Sequence, residues 1–209
     1  MLHKNDNSRW EFDNQYRKNG EIIAGCDEAG RGALAGPIVV ASVVFPSDYQ
    51  NPEIKDSKKM TAYQRELQFE EIKKNALSYS IAILSKEIVE RRNPKATSIK
   101  GMESTLEDLE VEIDIALVDG EKLPDTHDFE AIQLIKGDDK SLTIAAASVL
   151  AKVTRDRIMD DYDEIYPWYG FKNNKGYGTK THMDGLKQKG ASDIHRRTYK
   201  PVKDVLKKS

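Results

Sequence analysis

Asp27 and Glu28 close an apolar run that begins at Ile22, and a Gly30-Arg31-Gly32 turn follows at once. Carboxylates bind hard divalent cations. A glycine-flanked arginine offers backbone N–H groups and a cation to a phosphate backbone. Metal ligands next to a phosphate cradle point to metal-dependent chemistry on a nucleic acid. Asp119 is a second candidate. It continues the alternating row Ile113, Ile115, Leu117, where a carboxylate is costly unless solvated, hydrogen-bonded or metal-bound; the alternative is that it caps the turn begun by Gly120. Asp138 and Asp139 form a third position, just ahead of a long helical stretch, where an aspartate can also serve only as an N-cap. The spacing does not distinguish the two. Four acids around one point raise one another's pKa values. Two divalent cations reverse that penalty and suit phosphodiester hydrolysis.

These residues need elements that bring them together. The pattern predicts strands over 21–27, 37–45, 78–84, 112–118 and 131–135, the first two as antiparallel neighbours. Helices are expected over 61–75, 87–92, 97–110 and 141–162, then near 180–189 and 199–207, with a loop from 167 to 178. Residues 1–20 read as a short helical or irregular arm. The order gives an α/β sandwich that starts as a meander and ends in helical crossovers. In such sheets functional groups gather beyond strand ends, and three strand ends here carry carboxylates. Successive strand side chains face opposite ways, so Asp27 and Glu28 are expected to share a site only if Glu28 has left regular strand geometry. The small Ala145-Ala146-Ala147-Ser148 run permits close approach of the longest helix to the sheet.

The 209 residues are 33% charged and 38% hydrophobic, a globular composition with room for one substantial core. No apolar stretch approaches the roughly 18 residues of a bilayer span, and the polar N-terminus lacks the apolar core of a signal peptide. The single cysteine, Cys26, fits a reducing cytoplasm and reads as a small core residue. The net charge of −2 hides an asymmetry. Residues 169–209 carry 11 Lys or Arg against 3 Asp, a net +8, which leaves −10 on the rest. A basic C-terminal segment on an acidic body is a footprint of polyanion binding; a solvated lysine-rich helix pair is the plainer alternative.

The sequence closely resembles the ribonuclease HII family of the ribonuclease H-like superfamily. The matching residues are Asp27–Gly32 with Leu34–Pro37, Asp56–Lys59, Leu117–Gly120 and Lys136–Asp138. They continue with Ile144–Ser148, Ala151–Arg157, Lys175–Thr179 and His195–Arg196. The likeness runs from about residue 22 to residue 202. The resemblance implies an α/β fold, a ribonuclease H-like mixed five-stranded sheet flanked by helices with a small C-terminal helical lobe. It divides the chain into an arm (1–20), a catalytic domain (21–167) and a basic substrate-binding segment (168–209). It implies that Asp27, Glu28, Asp119 and Asp138 are the catalytic metal ligands, holding two Mg²⁺ or Mn²⁺ ions, with Asp139 a neighbour. It implies that Gly30, Arg31 and Gly32 sense the ribonucleotide and that Tyr177 reads its sugar. The implied substrates are RNA/DNA hybrids and DNA carrying single ribonucleotides, cut on the 5′ side of the ribonucleotide to leave 3′-hydroxyl and 5′-phosphate ends. A cytoplasmic monomer with no membrane partner is expected.

The 2′-hydroxyl distinguishes RNA from DNA at one nucleotide, and a Cβ at Gly30 or Gly32 is expected to collide with the sugar. Tyr177 is expected in an exposed, flexible loop. His182 and His195 lack paired ligand spacing and read as surface or packing residues. Ala33, where the family usually has proline, is expected to loosen the turn; Asn173-Asn174 and the 93–102 stretch also depart from the family pattern. Two other readings compete. One is a ribonuclease HIII, which usually carries an extra N-terminal substrate-binding domain that about 20 residues cannot make. The other is a catalytically silent hybrid-binding module, against which all four acids argue.

Overall fold

The computed structural model describes residues 6–207. Five strands form one mixed sheet in the order β3-β2-β1-β4-β5: β1 (Ile23–Ala29), β2 (Ile38–Val44), β3 (Ser78–Leu84), β4 (Ile115–Asp119) and β5 (Glu130–Leu134). The first three pair antiparallel as a meander; β4 and β5 join parallel to β1. All seven residues of the interior strand β2 are buried, because both faces are covered. Val39, Ala41 and Val43 point to one core, while Ile38, Val40 and Val44 point to the other. A strand buried on both faces shows as a continuous apolar run rather than an alternating one.

The helices divide between those faces. After α1 (Ser8–Asn14) come α2 (Ala62–Asn75), α3 (Lys86–Arg92), α4 (Pro94–Glu107), the single turn α5 (Gly137–Lys140) and the 24-residue α6 (Leu142–Ile165). The chain ends with α7 (Phe171–Asn174), α8 (Lys180–Lys189) and α9 (Lys200–Leu206). Helices α2 and α6 share the core with Val39, Ala41 and Val43, whereas α4 places Met102 and Leu106 on the opposite face. The alanine run of α6 is fully buried. Its helix lies so close to β1 that a Cβ on Gly25 would come within 2.2 Å of the Thr143 carbonyl carbon and 2.3 Å of the Ile144 nitrogen. Helix α1 is tied to the same region, since the Thr143 N–H donates to Asp13 Oδ2 at 2.9 Å.

Several boundaries differ from the expected ones, each for a local reason. β1 runs on through Glu28 and Ala29 because Val40 and Val39 of β2 pair with them. Pro94 opens α4 rather than merely interrupting a helix, since proline at the first turn loses no hydrogen bond. Asn93 precedes it at φ +72° and accepts the Ala96 N–H at 3.0 Å. Asp138 and Asp139 stand in the turn α5, and neither caps α6. That cap is Ser141, whose Oγ accepts the Ile144 N–H at 3.1 Å. The expected loop after Pro167 contains the short helix α7. Cys26 is wholly buried, and burial pushes its thiol up to about 12.

The contact of β1 with α6 sets a direct test. Gly25→Ala must push two backbones apart, so stability is expected to fall by on the order of 3 kcal/mol, read as a lower midpoint in urea with an unchanged slope.

Candidate active site

The parallel pairing of β1 with β4 brings two strand ends side by side. Asp119, last in β4, pairs with Leu134, and α5 follows three residues after β5. Carboxylate oxygens of Asp27, Asp119 and Asp138 thereby lie within 4.8 Å of one another. The Gly137 N–H at the start of α5 donates to Asp119 Oδ1 at 2.6 Å. Asp119 therefore braces the α5 turn while facing the cluster, and its side chain does not cap the turn begun by Gly120.

Glu28 keeps its place in β1 and still lines the same cleft, so departure from strand geometry is not needed for that. It stands outside the three-aspartate cluster. Its N–H donates to Asp27 Oδ1 at 2.7 Å, its Oε1 accepts Arg31 Nη2 at 2.7 Å, and its Oε2 is buried without a hydrogen-bond partner. Asp139 is drawn aside by an ion pair with Lys59. The cleft has a volume of about 460 Å³, and its lining includes Asp27, Glu28, the Gly30–Gly32 turn, Asp119 and Tyr177.

Electrostatics here favour a cation. Burial first, then the charges of Glu28, Asp119 and Asp138, raise Asp27 well above the usual carboxylate range. Burial also raises Glu28, against the opposing charge of Arg31, and raises Asp119, against the Gly137 N–H. Three hard oxygen donors within 4.8 Å of one another and an orphaned buried Glu28 oxygen fit one or two divalent ions of the Mg²⁺ or Mn²⁺ type. Lys58 Nζ sits 3.2 Å from Asp138 Oδ2 as partial compensation.

The Gly30–Gly32 turn is held from below. Arg31 does not extend a free cation, because its guanidinium is taken by Glu28 and Glu121. What the turn offers is backbone: among the described residues the N–H groups of Arg31 and Gly32 donate to no acceptor. Glycine at position 30 has an internal cause. Its φ is +92°, and a Cβ there would fall 1.9 Å from Arg155 Nε. Gly32 is open, its nearest neighbour being the Tyr177 ring edge at 4.0 Å. Ala33 tightens the turn instead of loosening it, since its N–H donates to Gly30 O at 3.2 Å, a bond proline cannot make.

Tyr177 is 40% exposed, but its loop is tethered. Asn174, one of the departures, is buried. Its amide donates to Tyr169 O at 2.7 Å and accepts the Gly176 N–H at 2.9 Å. Arg155 donates to Lys175 O at 2.7 Å and stacks its guanidinium 5.4 Å from the centre of the Tyr177 ring. His182 and His195 are packing residues, as expected of the two readings left open, and both are wholly buried.

Glu121, Ser148, Lys152 and the two buried arginines Arg155 and Arg196 went unread as site residues. A signal for three of them was available, since Ser148, Lys152 and Arg155 recur at i, i+4 and i+7 on one helix face. Glu121 carries no pattern; only the fold places it beside Arg31.

Comparison with known proteins agrees with this geometry. The family model for ribonuclease HII matches residues 24–202. The chain is 48% identical over 204 residues to ribonuclease HII of Mycoplasma mycoides subsp. mycoides SC, covering 97% of this chain and 99% of that one. It is 45% identical over 191 residues to the Enterococcus faecalis enzyme, covering 91% and 74%. Among solved structures, ribonuclease H2 from Pyrococcus horikoshii OT3 superposes with a TM-score of 0.76 at 25% identity, over 90% of this chain and 98% of that one. A Bst ribonuclease HIII, solved with Mn²⁺, shares the fold with a TM-score of 0.66 at 15% identity, over 92% of this chain and 71% of that one. Among the described residues, no helix is long and apolar enough to cross a membrane.

The raised carboxylates predict a pH signature. A carboxyl whose folded pKa lies above its unfolded value favours the fold when protonated, and that contribution is lost as pH rises through the folded value. Asp27→Asn is therefore expected to stabilise the metal-free protein at neutral pH, by on the order of 1–3 kcal/mol. It should also abolish most of the rise in melting temperature that Mg²⁺ gives the unaltered chain. Calorimetric Mg²⁺ affinity should weaken on acidification, with protons released on binding; a pH-independent affinity would contradict the assignment.

Proposed function

The chain belongs to the ribonuclease HII family and is a metal-dependent RNA-cleaving nuclease; on that premise we propose that it hydrolyses RNA in RNA/DNA hybrids and cuts on the 5′ side of single ribonucleotides embedded in duplex DNA. The products carry 3′-hydroxyl and 5′-phosphate ends. The observation that carries the reading is the meeting of Asp27, Asp119 and Asp138 oxygens within 4.8 Å, with Asp27 and Asp119 lining a cleft shared with the Gly30–Gly32 turn and Tyr177.

In this reading Asp27, Glu28, Asp119 and Asp138 hold two Mg²⁺ or Mn²⁺ ions. When bound, two such ions would supply an activated water and charge stabilisation at the leaving oxygen. The protein's own residues do the rest. Gly137 and the Glu28 N–H fix the rotamers of Asp119 and Asp27, so the donors are pre-arranged. Arg31 balances Glu28 and Glu121 and keeps the cleft from becoming more negative than a phosphate backbone can approach. The free N–H groups of Arg31 and Gly32 face a nucleotide as donors for its 2′-hydroxyl, and the Tyr177 ring lies against the sugar. A deoxynucleotide leaves those donors unpaired, which is the physical source of discrimination. The basic segment 168–209 grips the phosphates of the duplex on which the 21–167 domain acts.

The test is a cleavage map. A DNA duplex with one ribonucleotide should be cut once, on its 5′ side, with Mg²⁺ or Mn²⁺ present, beside multiple cuts in a full hybrid. A metal-replete, folded sample that leaves both intact sinks the proposal. Asp138→Asn should lower the rate by at least about a thousandfold, in line with loss of a charged group from a preorganised site, with duplex affinity nearly unchanged. Equal loss of both would make Asp138 structural.

A further inference from the structure

Two buried imidazoles lie end to end beneath the Tyr177 loop. His182 Nε2 and His195 Nε2 are 2.9 Å apart. At the outer ends, His195 Nδ1 lies 3.0 Å from the Ser192 backbone nitrogen and 2.8 Å from Ser192 Oγ, and His182 Nδ1 lies 3.0 Å from Tyr177 O. These contacts allow one arrangement of protons. A backbone N–H can only donate, so His195 Nδ1 accepts and its proton sits on Nε2. That N–H points at His182 Nε2, which must accept, leaving the His182 proton on Nδ1 to donate to the Tyr177 carbonyl. Each imidazole then makes both bonds available to a neutral ring.

The geometry points to His182 and His195 as a one-way hydrogen-bond chain, from Ser192 to Tyr177, that positions the tyrosine for reading the ribose; the functional part rests on the role proposed for Tyr177. A second proton on His182 would put two N–H groups head to head at 2.9 Å, and one on His195 would point Nδ1–H at the Ser192 backbone N–H at 3.0 Å. The surroundings disfavour that as well. Tyr169 and Phe171 pack against both rings, at 4.7 Å from His195 and 5.1 Å from His182 between centroids. Burial is the leading cause lowering both pKa values, His195 to about 3.

The chain begins where the other half of the reading corner is held. Directly after His195, Arg196 donates through its N–H to Leu34 O and through Nη1 to Arg31 O, at 2.8 and 2.9 Å. Gly36 N–H donates to Ile194 O at 2.9 Å. Residues 192–196 thus anchor the turn that offers N–H groups and, through two imidazoles, the loop that offers the ring. Neither histidine reaches the acid cluster, so both are positioning residues.

Two measurements on the full chain decide the matter. Imidazole ¹⁵N shifts at neutral pH should show His182 protonated on Nδ1 and His195 on Nε2. The reverse tautomers, or a charged ring, overturn the chain of bonds whatever any variant does. On a duplex with one ribonucleotide, His195→Leu should raise KM about tenfold, the worth of one good hydrogen bond, with a much smaller change in kcat. His195→Gln, which keeps an N–H near the Nε2 position, should recover most of that. In a Tyr177→Ala background the His195→Leu effect should vanish; an undiminished effect there, or a loss confined to kcat, overturns the positioning role. If Tyr177→Ala alone leaves cleavage unchanged, the sugar-reading role of Tyr177 fails, while the ¹⁵N shifts still judge the bonds themselves.

Discussion

Two guanidinium groups buried without a carboxylate partner among the described residues govern this structure. Arg155 and Arg196 are fully buried. A charge in that position is costly unless its donors are met, and here backbone carbonyls meet most of them, Arg196 Nη2 being left without a partner. Arg155 donates to Pro37, Lys175 and Ala35 oxygens, while Arg196 donates to those of Gly36 and Arg31. Five carbonyls must therefore converge on two points, which dictates the path of the chain from Arg31 to Pro37 and fixes Lys175 beside it. Gly30 takes its left-handed conformation and goes without a Cβ because Arg155 occupies the space. The free N–H groups of the turn follow from this, since carbonyls pulled inward leave amides facing outward.

The acid cluster is built on the opposite principle. Its carboxylates are gathered where burial and mutual repulsion raise Asp27, Glu28 and Asp119, and Lys58, Arg31 and the backbone N–H groups of Glu28 and Gly137 offset them in part. The fold supports this strain with strand pairing and the tight α5 turn rather than with local stability. Such a site stores affinity for cations at the expense of the metal-free state, a common trade between stability and function.

Much of this was legible in the residues. The unbroken apolar run 37–45 marked a strand covered on both faces, the alanine run marked the approach of α6, and Asp119 stood out because it interrupted an apolar row. Residues whose role depends on distant chain segments were harder to read. Glu121 looks like any loop glutamate until β4 and the Gly30 turn meet. His182 and His195 have no shared spacing, because their pairing is made across α8 and the following loop. Asp138 and Asp139 are chemically identical neighbours, and only the direction of α5 and the reach of Lys59 separate them. Gly30 illustrates a different limit: the need for glycine was visible, but its cause was an arginine 125 positions later.

Helix α6 also works as a ruler. Ser148 and Lys152 line the acid cleft, Arg155 holds the Gly30–Gly32 turn, and Met159 packs under Gly36 and Gly176, all on one stripe of an unbroken helix. At 1.5 Å per residue, Ser148 and Arg155 are separated by about 10 Å along a stiff rod. A substitution between them alters one neighbour, but a single inserted residue would rotate everything beyond it by about 100° and swing Arg155 off its carbonyls. The length of this stretch is thus under tighter constraint than its composition. Variation that retunes the spacing between the acid cleft and the Gly30–Gly32 turn must come from loop residues at the two ends, because the gauge between them cannot be lengthened by one step.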